Sequence, residues 1–198
     1  MSDSILNDPA AAVNVAIIGG HIYGGGLTSY PLAASKGKDL WMTEHLVVDT
    51  IWSGAFATAK EINDCMSVGM NAYVWWVIRR FYGPIDENSN VTKRGYVMSQ
   101  YARFVRPGFI RVGATATPRT NVSVTAYKDG SKVVIVALNA GSLSINQTFT
   151  VPNGTATTFT PYVTSSAKNC VQGSAIPVSS GTFSATLDGS SVTTLVSN

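Results

Sequence analysis

The sequence predicts an α/β-plus-β chain, with parallel βα units over residues 1–106 and an antiparallel side β-sandwich over 107–198. Three observations lead there. The composition changes at Pro107-Gly108, from apolar runs mixed with charged stretches to a segment rich in Ser, Thr, Val, Asn and Gly whose only carboxylates are Asp129 and Asp188. Before that point, short apolar runs alternate with segments whose apolar residues recur at helical spacing, the grammar of βα units. After it, alternating or β-branched runs are separated by turn residues. With 198 residues, 45% hydrophobic and 13% charged, the chain can bury a sizeable core and does not have the composition of a disordered one.

Taken in order, NVAIIGGHIYG (14–24) is an apolar run closed by glycines and reads as a strand buried on both faces. KDLWMTEH (38–45) reads likewise, with Glu44 at its carboxyl end. AFATAKEINDCMSVG (55–69) sets Phe56, Ala59, Ile62 and Met66 at helical spacing and stops at a glycine. AYVWWVIRR (72–80) is a third strand. TKRGYVMSQYARFVR (92–106) is a second helix, with Tyr96, Met98, Tyr101, Phe104 and Val105 as its packing face. In the second region FIRVGAT (109–115), NVSVTAY (121–127), KVVIVAL (132–138), INQTFTV (145–151) and SVTTLV (191–196) read as strands. Asp129-Gly130, Asn139-Ala140-Gly141 and Asn153-Gly154 mark turns between them.

Charge and composition exclude several classes of function. The net charge of +3 is thin and scattered, whereas a surface that tracks phosphates needs clustered Lys and Arg, so no nucleic acid partner is expected. No apolar run approaches the roughly 20 residues of a membrane-spanning helix, and the start, MSDSILNDPAAAVNV, lacks the pattern of a signal peptide. Cys65 and Cys170 form no CxxC and only two histidines accompany them, which argues against a structural zinc site. The Ser/Thr-rich, charge-poor second region nevertheless has the character of an extracellular β module. Asn121, Asn146 and Asn153 open formal glycosylation triplets, which arise easily in such a segment and decide nothing.

Ligands bind at the carboxyl ends of parallel strands, where loops and strand-end side chains converge. The first strand ends in His21 and Tyr23, the second in Glu44 and His45, and the third in Trp76, Arg80 and Tyr82. An acid, aromatic platforms and a cation suit a sugar, whose faces stack on rings and whose hydroxyls take hydrogen bonds. Glu44 is placed to act as a nucleophile at an anomeric carbon, or else to pair with Lys38, Arg79 or Arg80. Trp75 and Trp76 point to opposite faces of their strand, one toward core and one toward the mouth. Arg80 and Tyr82 can grip an acidic substituent, or Arg80 can pair with Asp86 or Glu87. His21 either orients Glu44 or is a structural histidine. Gly24 to Gly26 lack the spacing of a phosphate-binding loop and read as a flexible rim.

The segments IIGGHIYGGGL (17–27), KDLWMTEH (38–45), AYVWWVIRRFYGPIDENSNVTKRGYVMSQYARFVRPG (72–108), VSVTAYKDGSKVVIVALN (122–139) and VTTLV (192–196) resemble glycoside hydrolase family 30, within it the bacterial glucuronoxylanase type. The resemblance implies the carboxyl-terminal part of a (β/α)8 barrel, strands six to eight, followed by a side β-sandwich. It also implies retaining hydrolysis of β-1,4-xylan or glucuronoxylan by a secreted parent enzyme, without metal or organic cofactor. Glu44 matches the family's nucleophile, and Tyr23 and Trp76 match residues around the sugar beside the scissile bond. Arg80 and Tyr82 match the pair that contacts the glucuronic acid branch, and His21 joins them as a substrate-binding candidate.

Two departures stand out. Relatives that require the branch carry a tyrosine where this chain has Leu46, and the connector from Glu44 to the following helix is short. The family's acid/base glutamate belongs to the fourth barrel strand, and the chain starts just before the sixth. Retaining hydrolysis needs two carboxyl groups about 5–5.5 Å apart. Glu61 and Asp64 fall on the helix, away from the mouth, and Asp49, Asp86 and Glu87 match no family acid. A barrel takes about 250 residues, so three βα units are expected to be inactive alone and to need an amino-terminal barrel half as partner. A non-catalytic xylan-binding module using Trp76, Tyr23 and Arg80, or a structural remnant, are the other readings.

Overall fold

The computed structural model describes residues 2–25 and 27–198; Gly26, the last glycine of the expected rim, lies outside them. Two short helices, α1 (Ser2–Asn7) and α2 (Pro9–Ala12), precede the first strand, and the Asp8 carboxylate caps α2 by accepting the N–H of Ala10 at 2.8 Å. Strand β1 (Ile17–His21), helix α3 (Pro31–Ser35), strand β2 (Asp39–His45), helix α4 (Trp52–Ser67), strand β3 (Ala72–Trp75) and helix α5 (Lys93–Ala102) follow. The three strands form one parallel sheet in the order β1-β2-β3. This is the arrangement of consecutive barrel strands.

Two details of that sheet differ from expectation. The first strand is largely exposed rather than buried on both faces. It pairs with β2 on one edge only, and the apolar layers that would cover its faces are not among the described residues. The third strand ends at Trp75 instead of running to Arg80, because the following backbone pairs with itself: Ile85 N–H donates to the Ile78 carbonyl and Arg80 N–H to that of Ile85, each at 3.0 Å. The Trp76–Val77 peptide is cis.

The helices are laid out as the periodicity predicts, with adjusted ends. α4 starts earlier, at Trp52, and ends before Gly69, whose φ of +93° a side chain would resist. On α5 the centre of the packing face is Val97, fully buried with Tyr101 one turn on, while Met98, Phe104 and Val105 flank them. Tyr96 is offset by one residue from that face.

The second region holds β4 (Ile110–Val112), β5 (Val122–Asp129), β6 (Lys132–Asn139), β7 (Ile145–Thr150), β8 (Thr158–Ser165), β9 (Val171–Gln172), β10 (Ile176–Pro177), β11 (Thr182–Leu187) and β12 (Ser191–Ser197). One sheet runs β10-β8-β12-β6-β5-β4 with β9 on β8, and the pair β11-β7 faces it. Every other residue of β6 points the same way, so the strand feeds two cores. Val133, Ile135 and Ala137 meet Phe149, Phe159 and Phe183 between the sheets, where the Phe159 and Phe183 rings stack at 4.3 Å. Val134, Val136 and Leu138 meet Ala59, Ile62, Val97 and Tyr101 of α4 and α5 on the opposite face. The helices are also clasped to the sheet by hydrogen bonds. The Gln100 side chain donates to Thr164 Oγ1 and accepts from Thr194 Oγ1, each at 2.6 Å, and the Lys93 ammonium donates to Asn169 Oδ1 at 2.6 Å. Among the described residues no helix is long and apolar enough to cross a membrane.

Candidate active site

The carboxyl end of the parallel sheet brings His21, Tyr23, Glu44 and His45 together. His21 at the end of β1 stands opposite Glu44 of β2, at a register shift after Gly20, and His21 Nδ1 lies 3.8 Å from Glu44 Oε1. Tyr23 follows in the turn, with its ring edge-on to His21 at 5.9 Å and tilted against His45 at 4.8 Å. Its phenol is held above the usual range, first by partial loss of solvent and then by the Glu44 carboxylate beside it. Glu44 makes no ion pair with Lys38, Arg79 or Arg80 among the described residues; the His21 imidazole stands beside it instead.

His45 turns the other way, as strand alternation requires. Its Nδ1 lies 2.8 Å from Glu61 Oε1 of α4, and the Tyr73 hydroxyl of β3 donates to the same oxygen. Burial, and then the Glu61 charge, push the Tyr73 phenol well above its ordinary pKa. Glu61, expected away from the mouth, thus backs His45, while Asp64 pairs with Lys60 on the helix surface. Spacing alone did not reveal the Glu61–His45–Tyr73 cluster, although a carboxylate one turn before the buried Cys65 of α4 was its available sign.

Trp75 is buried and Trp76, next to it, is 49% exposed. Arg80 and Tyr82 lie on the loop after β3, with Arg80 exposed and Tyr82 half-buried, its ring edge-on to Phe81 at 4.9 Å. Arg80 pairs with neither Asp86 nor Glu87 among the described residues. Asp86 instead closes its own loop by accepting the N–H groups of Asn88 at 2.9 Å and Asn90 at 2.8 Å, and the Asn90 bond leads in holding its carboxyl below the usual range. The Glu87 carbonyl accepts from Arg79. Leu46 is half-buried, and the connector between β2 and α4 is residues 46–51, where the Asp49 carboxylate accepts the Ile51 N–H at 3.0 Å.

No group of three or more His, Cys, Asp or Glu side chains is placed to hold a metal among the described residues. Both cysteines are free thiols. A cleft of about 790 Å³ lies elsewhere, between the β4–β6 face and β7, with Val124, Ile135 and Phe149 in its walls and none of the candidate residues.

A carboxylate with imidazole and aromatic groups at parallel strand ends, joined to a β-sandwich, defines the carboxyl-terminal part of a (β/α)8 barrel protein with a side β-domain. The chain is 43% identical over its whole length to glucuronoxylanase XynC of Bacillus subtilis strain 168, and spans 50% of that relative. The crystal structure of a GH30 endoxylanase from Clostridium papyrosolvens superposes with a TM-score of 0.94 at 44% identity, over all of this chain and 53% of the other. The GH30 subfamily 8 xylanase Xyn30A of Clostridium acetobutylicum gives 0.94 and 44%, over 52% of its chain. Over its whole length the chain is thus similar to glycoside hydrolases of family 30, glucuronoxylanase among them, and it spans about half the length of the relatives it matches. No family model matches the chain.

Proposed function

We propose that the chain is the nucleophile-bearing portion of a retaining endo-β-1,4-xylanase acting on glucuronoxylan outside the cell. Residues 1–106 form part of the barrel and 107–198 the side domain. The observation that carries the reading is Glu44 at the end of β2, with His21 Nδ1 3.8 Å from its carboxylate, in a chain 43% identical to a glucuronoxylanase.

In this reading a Glu44 oxygen attacks the anomeric carbon of a xylose unit as the bond to the leaving sugar oxygen breaks. A second carboxylic acid protonates that oxygen, and water then releases the sugar from Glu44. His21 orients the nucleophile, Tyr23 and Trp76 stack on the sugar, and Arg80 with Tyr82 takes the carboxylate of the glucuronic acid branch. No second acid is assigned among the described residues. Glu61 is held by His45 and Tyr73, Asp49 by the Ile51 N–H, and Asp86 by its own loop. The 198 residues alone are therefore inactive, and the acid comes from an amino-terminal barrel half. Leu46 loosens dependence on the branch.

The test is release of reducing sugar from glucuronoxylan by the purified chain, alone and mixed with an amino-terminal half taken from a relative. Expected are no release alone, release from the mixture, and loss of that release with Glu44→Gln. Sugar release by the chain alone that Glu44→Gln abolishes would falsify the dependence on a second half, and an active mixture indifferent to Glu44→Gln would overturn the assignment of the nucleophile.

A further inference from the structure

Arg94, in the first turn of α5, is 2% exposed and forms no ion pair among the described residues. Burying a guanidinium without a carboxylate is costly unless its donors are met. Here they are met by backbone from two different loops. Nη2 donates to the Asp49 carbonyl at 2.7 Å, in the connector that follows Glu44, and Nη1 donates to the Tyr82 carbonyl at 2.6 Å, in the loop that carries Arg80. Nε donates to Thr58 Oγ1 of α4 at 3.1 Å, and the guanidinium lies over the Trp75 ring at 4.4 Å from its centroid.

The geometry is that of a staple. A planar fork reaches acceptors in divergent directions at once, which a lysine ammonium on a flexible stem does less well. Packing does not replace it, because a cavity of about 140 Å³ lies between the two loops, lined by Thr50, Phe81, Asp86 and Arg94 itself. Each loop is also pressed onto a helix start. A Cβ at Gly54 would stand 2.7 Å from the Asp49 side chain, and one at Gly95 would stand 2.3 Å from the Pro84 carbonyl oxygen. Each loop is thus held against its own helix, and Arg94 is the hydrogen-bonded bridge between them.

We infer that Arg94 is a positioning residue, which fixes the loop bearing Arg80 and Tyr82 against the loop that follows Glu44 and so sets the preference for an acid-branched substrate over a plain one. The preference rests on the function proposed above; the bridge between loops does not. Arg94 touches no sugar itself.

The experiment compares the 198-residue chain with Arg94→Lys and Arg94→Met, the second keeping bulk while removing every donor. Hydrogen exchange is followed at the amides of 46–51 and 77–92, with those of β5 and β6 as an internal control of folding. Binding of xylotetraose with and without a glucuronic acid branch is measured by calorimetry. In Arg94→Met both loops exchange about tenfold faster or more, as loss of charge-assisted bonds implies, while β5 and β6 are unchanged. The preference for the branched ligand falls toward one and affinity for the plain ligand holds within about twofold. Arg94→Lys restores part of both. Unchanged exchange in either loop overturns the inference, as does equal weakening of the two ligands, which marks a merely structural role. If the wild-type chain shows no preference for the branch, the roles given to Arg80 and Tyr82 fail, and the bridge stands or falls on the exchange data alone.

Discussion

Glu44 and His45 are neighbours in sequence with opposite fates. Glu44 faces the open strand end beside His21, whereas His45 is locked by Glu61 with its ring between Tyr23 and Trp75. A carboxylate only accepts, so the Nδ1 that meets Glu61 carries the proton, and His45 serves as the wall on which Tyr23 rests. Glu61→Leu is expected to lower unfolding free energy by about 1–2 kcal/mol in urea titration, since it leaves two half-buried donors unmet. Cys65 offers a separate test. Burial first, then Glu61 and Asp64, push its thiol up to about 12. The unfolded thiol ionises first, so this stabilising contribution is complete below about pH 9 and declines as pH rises toward about 12, by about 1.4 kcal/mol per pH unit. The stability gap between wild type and Cys65→Ala should therefore shrink between pH 8 and pH 11; a constant gap would mean that the thiol does not titrate with unfolding. At this scale the apolar runs of the sequence sufficed to place Glu44 and His21 at strand ends and Tyr23 just beyond. The sequence put Glu61 on a helix without its partner and gave no sign of Arg94, because their partners lie 16 and 45 residues away.

At the scale of elements, legibility followed how strongly a segment's side chains declare what covers them. KVVIVALN is β-branched on both faces because β6 lies between two cores, and it reads as a strand without ambiguity. β8 is disguised, because TFTPYVTS carries Pro161 inside the ladder, whereas TFSATL of β11 alternates apolar with Ser and Thr as a half-buried strand does; Phe159 and Phe183 of the two strands stack in the core. The start of α5 tests the same logic in reverse. Thr92 caps the helix by accepting the Gly95 N–H at 3.2 Å, and the glycine admits the Pro84 carbonyl. Thr92→Ala should cost about 1 kcal/mol. Gly95→Ala should cost more, about 2 kcal/mol or above, because the methyl group meets backbone that must move. Thermal melts of the two variants check the order, and an Ala at 95 that melts like wild type would show that the loop yields freely.

For the molecule as a whole, the two regions are unequally finished. The sandwich and the α4–α5 layer enclose cores of fully buried side chains, while the parallel sheet keeps β1 as a bare edge. Val48, Ile51, Ile78 and Phe81, on the loops after β2 and β3, are among its exposed large hydrophobic side chains. An unpaired strand edge and exposed apolar side chains each favour association. The family resemblance made this legible from length, since three βα units cannot close a barrel of eight, whereas composition alone gave no sign of an open edge. It follows that stability should divide along the same line. Amides of β5, β6 and β12 should exchange only through global opening, and those of β1 through local opening with protection lower by about two orders of magnitude or more. If a cognate barrel half binds the open edge, the protection of β1 should rise toward that of β6 with little change in β6 itself. A β1 as protected as β6 in the isolated chain would mean that the sheet is already covered, by self-association, and gel filtration across a concentration series would then show an oligomer that disperses on dilution.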